Sequence, residues 1–104
     1  MAAKAGRQGT LIRIGKKPVM NYVVACVTLF NSGAEQIAVR ARGRAITKAV
    51  DTVEMLRRAF LKNLLVESIN IGSEDVTRPD GAMATLSTIE ISLGRGGKPI
   101  SQSK

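Results

Sequence analysis

The sequence contains no histidine and no tryptophan, and it has only one cysteine and three aromatic residues in 104. These absences exclude Ser-His and Cys-His nucleophilic sites and zinc sites built from cysteine and histidine. The single Cys26 cannot form an intramolecular disulfide, and its apolar neighbours predict a buried thiol in a reducing compartment. Asp51 and Glu54 are better explained as part of a solvated helix face than as a catalytic pair. We therefore expect no metal, no cofactor and no enzymatic activity.

Long apolar runs are also missing. No run approaches the 18 residues that a membrane-spanning helix needs, and the N-terminus has no apolar region typical of a signal peptide. With 44% hydrophobic and 23% charged residues, the chain is long enough to form one globular domain with a modest core. We expect a soluble cytoplasmic protein with no membrane partner.

Acidic residues are scarce in the first half of the chain. Residues 1–48 hold nine Lys or Arg and one acid, Glu35, whereas residues 49–104 hold seven of each sign. The whole net charge of +8 therefore belongs to the first half, and it forms a patch rather than an evenly charged surface. Such a patch indicates a polyanionic partner.

Apolar periodicity predicts the element order β-α-β-α-β-β, an α+β fold in which two helices pack on one face of a mixed four-stranded sheet. A turn around Pro79-Asp80-Gly81 joins the last two strands into a long hairpin. On the second helix we expect one apolar stripe to face the core, namely Ile46, Ala49, Val50, Val53, Leu56 and Phe60. The predicted strands are residues 10–15, 36–42, 64–76 and 85–93, and the predicted helices are 18–32 and 45–61. We divide the chain into a flexible basic arm (1–9), one domain (10–94) and a flexible glycine-rich tail (95–104).

Two helix starts have unusual chemistry. Lys16 and Lys17 precede Pro18, which we place at the first helical position, and no Ser, Thr, Asp or Asn caps that helix. Arg42-Gly43-Arg44 precedes the second helix in the same way. Cations at the positive end of a helix are unfavourable by roughly 0.3–1 kcal/mol each. Both starts therefore indicate phosphate sites, with solvated turns as the alternative.

Right-handed β-α-β connections place the ends of the first three strands at one edge of the sheet. Both basic loops and the hairpin with Arg78 leave the sheet there. Asn21 and Tyr22, in the first helical turn, can contact phosphate or sugar, although Tyr22 is equally well explained by packing. A Walker-type phosphate loop is excluded by Thr10 and Lys17. An RRM is excluded because the few aromatic residues fall in the predicted helices.

Three segments together resemble the Alba family of archaeal chromatin proteins: residues 14–22 (IGKKPVMNY), residues 41–51 (ARGRAITKAVD) and residues 87–91 (STIEI). The resemblance runs from about residue 11 to residue 93. It implies a fold like the C-terminal domain of translation initiation factor 3. It also implies a homodimer that coats and compacts double-stranded DNA without sequence preference, in association with the nucleoid.

The resemblance also implies residue roles. The lysine pair contacts DNA and Lys16 is an acetylation target, which implies an acetylase and a deacetylase as partners. The arginine loop lies on the central DNA-facing surface, the hairpins reach toward the minor groove, and Phe60 contacts a neighbouring dimer. The expected nucleic-acid-binding residues are Lys16, Lys17, Asn21, Tyr22, Arg42, Gly43, Arg44, Lys48 and Arg78.

Several alternatives stay open at this point. Because family members also bind RNA, an RNA chaperone or a ribonuclease P-type subunit is the second candidate. A heterodimer with a paralogue is compatible with the same residues. An enzyme acting on phosphorylated small molecules at the two helix starts is the rival from another class, and the absence of acid–base groups argues against it.

Overall fold

Two helices cover one face of a four-stranded sheet in this computed structural model, which describes residues 9–95. The order β-α-β-α-β-β is confirmed. The elements are β1 (Gly9–Arg13), α1 (Val19–Asn31), β2 (Gln36–Arg42), α2 (Ala45–Met55), a π-helical turn (Leu56–Phe60), β3 (Leu65–Thr77) and β4 (Met83–Gly94). Apart from Gly9 and Arg95, the predicted arm and tail lie outside the described residues. Within those residues neither helix is long and apolar enough to cross a bilayer.

Strand direction places three loops together. The strand order is β1-β2-β4-β3, with β1 parallel to β2 and β4 antiparallel to both β2 and β3. Strands β1, β2 and β3 therefore run in the same direction, and their C-terminal ends share one edge of the sheet, as predicted. We call this edge the rim. It carries the lysine loop (residues 15–17), the arginine loop (residues 42–44) and the β3–β4 hairpin.

The hairpin projects beyond the rest of the sheet. Arg42, the last residue of β2, pairs with Thr88, which in turn pairs with Gly72. Residues 73–87 therefore extend past the end of β2 as a two-stranded ribbon. The predicted turn closes it: the Arg78 amide donates to the Ala82 carbonyl at 2.7 Å, and Gly81 has a φ of 91° that favours glycine.

The core lies between the helices and the middle of the sheet. Because side chains alternate along a strand, every second residue of β2 and β4 points toward the helices. The helices contribute apolar residues three or four positions apart. The buried set comprises Ile37, Val39, Ala41, Ile91 and Leu93 from the sheet with Val23, Cys26, Phe30, Ala49, Val53 and Leu56 from the helices.

The second helix differs from its prediction at its C-terminal end. The α-helix ends at Met55, and the Leu61 amide donates to the Leu56 carbonyl at 2.7 Å, five residues back. This π-helical turn adds one residue before the chain returns to the same face. Leu61 packs against the core instead of Phe60, which is 46% exposed. The predicted core stripe is therefore wrong at Phe60, and also at Val50, which is 42% exposed.

The thiol of Cys26 is buried, as predicted, and burial raises its pKa to about 11. The unfolded thiol ionises near its ordinary pKa of about 8.5. Unfolding is therefore accompanied by proton release between these two values, and this thiol's contribution to stability is full below the lower one and is lost as pH rises through the upper one.

We expect the native protein to lose roughly 2 kcal/mol of unfolding free energy from this thiol by pH 10. The measurement is the difference in urea-unfolding free energy between the wild type and Cys26→Ala, followed from pH 7.5 to pH 10. Subtracting the variant removes contributions that the two proteins share. A difference that stays constant with pH would show that the thiol is accessible in the folded state.

Candidate nucleic-acid interface

The lysine loop connects the end of β1 to an uncapped helix. Ile14 is buried and its amide donates to the Arg40 carbonyl at 2.9 Å, which holds the start of the loop against β2. Pro18 is the N-cap of α1, with φ −62° and ψ 154°, so the helix begins at Val19, one residue later than predicted. No side chain caps this helix and its first turn contains no acid. Lys16 and Lys17 are both exposed on this loop.

Both helices hold the main chain of the lysine loop. The Tyr22 hydroxyl of α1 accepts hydrogen bonds from the amides of Gly15 and Lys17 at 2.9 and 3.1 Å. The Lys48 ammonium of α2 donates to the carbonyl oxygens of the same two residues at 3.0 and 2.8 Å. Two amides and two carbonyls of a three-residue loop are thereby satisfied by side chains. The loop conformation is fixed before any ligand binds.

These contacts change how two of the predicted residues act. The Tyr22 ring packs against the core and its hydroxyl accepts two hydrogen bonds, which leaves its own proton free to donate outward. The Lys48 ammonium donates to two carbonyls of the loop, so its positive charge lies on the side of the loop that faces α2. Among residues 9–95, no carboxylate lies within 4.0 Å of the ammonium groups of Lys16, Lys17 or Lys48. The loop is therefore a point of concentrated positive charge.

The arginine loop has a backbone reason for its glycine. Gly43 has a φ of +58°, its amide donates to the Ser87 carbonyl at 2.8 Å, and its carbonyl accepts from the Ile46 amide at 3.1 Å. This left-handed conformation joins β2 to α2 while tying the loop to β4. Arg44 is the N-cap of α2, again without a side-chain cap or an acid in the first turn. Both predicted uncapped helix starts are thus present at the rim.

The cations of the rim are not equivalent. Arg42 forms an ion pair with Glu74 of β3, with 2.7 Å between Nη1 and Oε2, whereas Arg44 and Arg78 have no carboxylate within 4.0 Å in the described chain. Arg78 lies at the exposed tip of the hairpin and Asn21 is exposed in the first turn of α1. The structure thus brings all of the predicted interface residues to the rim, with Arg42 partly neutralised.

Two features lie outside the three loops of the rim. Phe60 lies at the opposite edge of the sheet, beside a pocket of about 270 Å³ that is also lined by Phe30, Leu64 and Arg95. Arg13 and Arg40 lie on the sheet face that the helices leave uncovered, and the sequence alone did not point to a role for them. The alternation of side chains along β1 and β2 indicates their position, because it places every second residue of each strand on that face.

The rim presents exposed cations on two uncapped helix starts and a projecting hairpin, and residues 9–95 contain no cluster of three potential metal ligands. The exposed cations of the rim define a small basic nucleic-acid-binding domain of the α+β class. The family model named Alba matches residues 10–73, so the chain belongs to the Alba family, whose members bind nucleic acids and are not enzymes.

Solved structures agree with this assignment. Alba from Thermoplasma volcanium superposes with a TM-score of 0.79 and is 43% identical, and the match covers 83% of this chain and 100% of that one. ALBA1 from Trypanosoma brucei superposes with a TM-score of 0.66 at 24% identity, covering 90% of this chain and 79% of that one. The second likeness shows a shared fold.

The hydroxyl of Tyr22 can be removed without removing its ring. We expect Tyr22→Phe to lower the unfolding free energy by about 1–2 kcal/mol, because the amides of Gly15 and Lys17 lose their acceptor. Duplex affinity should fall, while the dependence of affinity on salt stays that of the wild type because no charge is removed. Urea unfolding and DNA titration at several salt concentrations measure both. Unchanged stability would contradict a holding role for this hydroxyl.

Proposed function

We propose that this protein is an architectural DNA-binding protein that coats double-stranded DNA as a dimer, without sequence preference. The observation that carries the proposal is the composition of the rim, where exposed Lys16, Lys17, Arg44 and Arg78 have no acidic partner in the described chain. Flexible cations of this kind bind phosphates, and phosphate contacts carry no direct sequence information. We propose a cytoplasmic, nucleoid-associated location on the same ground.

An exposed apolar stripe on β3 supports the dimer. Val66, Ile69 and Ile71 pair with Leu93, Ile91 and Ile89, so they point to the face that the helices cover elsewhere. The helices do not reach β3, and the three side chains are 37%, 57% and 82% exposed. A second copy placed against this stripe would bury it and join two rims into one basic surface. A paralogous chain with the same stripe would form a heterodimer through the same surface.

Two further roles belong to the same proposal. We propose that Phe60 contacts a neighbouring dimer on the DNA, and its exposure at the edge opposite the rim supports this role. The Lys16 side chain is exposed and makes no hydrogen bond within the described residues, so an acetylase can reach it without unfolding the loop. Acetylation would remove one phosphate contact and leave the fold intact.

RNA is the second candidate ligand. The rim recognises phosphate through side chains that make equivalent contacts to DNA and RNA backbones, so duplex RNA fits the same surface. Parallel titration with DNA and RNA duplexes of equal length and sequence ranks the two.

Charge removal at Lys16 tests the rim. If each chain of a dimer contributes Lys16, Lys17, Arg42 and Arg44, up to about eight phosphates are neutralised, with a log–log salt slope of roughly −0.9 per neutralised phosphate. We expect Lys16→Gln to make this slope shallower by about 0.9 for each phosphate that is no longer neutralised, without lowering thermal stability. Fluorescence titration with duplex DNA at four salt concentrations measures the slope.

Lys62→Gln is the matched control, because Lys62 is an exposed lysine at the opposite edge of the sheet. An equal change of slope in both variants would indicate a general charge effect and would contradict a site at the lysine loop. A strong preference of the wild type for one duplex sequence would contradict the proposed mode of binding.

The apolar stripe predicts the effect of a single charge. Ile71 is 82% exposed in one chain, so Ile71→Asp should leave the monomer folded while placing a buried carboxylate in the dimer interface. We expect the wild type to sediment as a dimer at micromolar concentration and the variant to sediment as a monomer. Val24→Asp, at a 55% exposed site on α1, should remain dimeric. A monomeric wild type, or a dimeric Ile71→Asp, would refute this interface.

A further inference from the structure

We propose that the helix-free face of the sheet carries a second nucleic-acid site, formed around Arg13 and Arg40, that binds the phosphate backbone of a single-stranded segment. The site adjoins the rim proposed above for duplex binding, and Arg42 of the arginine loop also lines it. Its existence does not depend on the rim.

The first argument is the placement of three arginines. Arg13 of β1 pairs directly with Arg40 of β2, and both alternate with residues that face the core, Ile12, Ile14 and Val39. Arg42 follows Arg40 two residues later on the same face. The three Cα positions are thus separated by one strand spacing of about 4.8 Å and one two-residue repeat of about 7 Å. Because like charges directly opposite each other in a sheet are destabilising, the pairing of Arg13 with Arg40 is unfavourable in the free protein.

The acids on this face only partly balance that charge. Glu74 neutralises Arg42, and Glu90 approaches Arg40 at 4.0 Å between Oε1 and Nε, the limit of an ion pair. Arg13 has no carboxylate within 4.0 Å among the described residues. One guanidinium is therefore free and a second is loosely held, beside each other on neighbouring strands. A bound phosphate would accept forked hydrogen bonds from both.

The surface around the arginines is concave and open. A cavity of about 450 Å³ is lined by Arg13, Arg40, Arg42, Glu74 and Thr88, together with Ile14 and Ala41. Beyond the cavity the helix-free face carries both short side chains, such as Ala38 paired with Ser92, and longer ones, such as the exposed Leu11 paired with Ala38.

The shape favours a single strand as the occupant. A duplex bound across the rim lies over the ends of the strands, and a stiff rod in that position cannot also bend onto the face that runs along them. A single strand is flexible enough to place a phosphate in the cavity, and arginine planes can stack on its unpaired bases. The apolar stripe of β3 points to the opposite face, so the proposed dimer leaves this site uncovered.

The test compares two ligands, an unstructured oligothymidine and a DNA duplex, by fluorescence titration of the full chain. We expect Arg13→Gln with Arg40→Gln to weaken oligothymidine binding about tenfold or more, because charged hydrogen bonds to phosphate are removed. Duplex affinity should fall by a clearly smaller factor, because these arginines lie beside the rim loops and act on the duplex only through the screened long-range charge. Lys16→Gln with Lys17→Gln should show the reverse pattern. Arg58→Gln, an exposed arginine at the opposite edge, is the charge control and should change neither affinity.

A competition experiment separates the two sites directly. Oligothymidine should still bind protein that is saturated with duplex, and its displacement by duplex would overturn the proposal. Equal weakening of both ligands in the Arg13 and Arg40 variant, or no weakening of either, would overturn it as well. Arg13→Lys provides a second variant that keeps the charge but not the fork, and we expect it to retain only part of the oligothymidine affinity. Absence of duplex binding by the wild type would refute the rim function, and the oligothymidine titrations of the arginine variants would still test this site.

Discussion

The basic edge of this protein depends on the bonding of one short loop to both helices. Tyr22 accepts from two amides of the lysine loop and Lys48 donates to two of its carbonyls, so a loop of three residues is tied to α1 and α2 at once. Without these contacts, Lys16 and Lys17 would lie on a mobile turn whose ordering on a ligand would oppose binding. The use of a cation, Lys48, as one of the two ties raises the positive potential of the loop it holds.

Such a concentration of charge is unfavourable to the free protein, and the fold tolerates it because the charged groups lie outside the core. The buried residues lie in the middle of the sheet, whereas the cations stand on loops at its edge, where water screens their repulsion. The ion pair between Arg42 and Glu74 relieves part of the remaining repulsion. Stability and ligand attraction are thereby assigned to different parts of the same small domain.

The elements themselves could be predicted from apolar periodicity, and strand direction followed from the order of elements, which placed both basic loops and the hairpin at one edge. The hydrogen bonds from Lys48 to the lysine loop could not be predicted, because Lys48 lies 31 and 33 residues away from the carbonyls it contacts. No local pattern encodes that distance. The predicted end of the second helix was wrong, because a regular period of 3.6 residues does not indicate a π-helical turn of five residues. Phe60 was therefore assigned to the core. The pairing of Arg13 with Arg40 depends on the register between two strands, which alternation within each strand does not determine.

The π-helical turn affects which side chains the surface around Phe60 can accept. In a regular helix, the residue four positions after the buried Leu56 must face the core, and its size is limited by the space there. Because the turn gives that inward position to Leu61, Phe60 lies outside the buried core and is half exposed. The identity of the side chain at this outer edge is therefore independent of the volume of the interior. The single extra residue of the turn therefore allows the side chains of the contact surface at this edge to vary while the core stays the same.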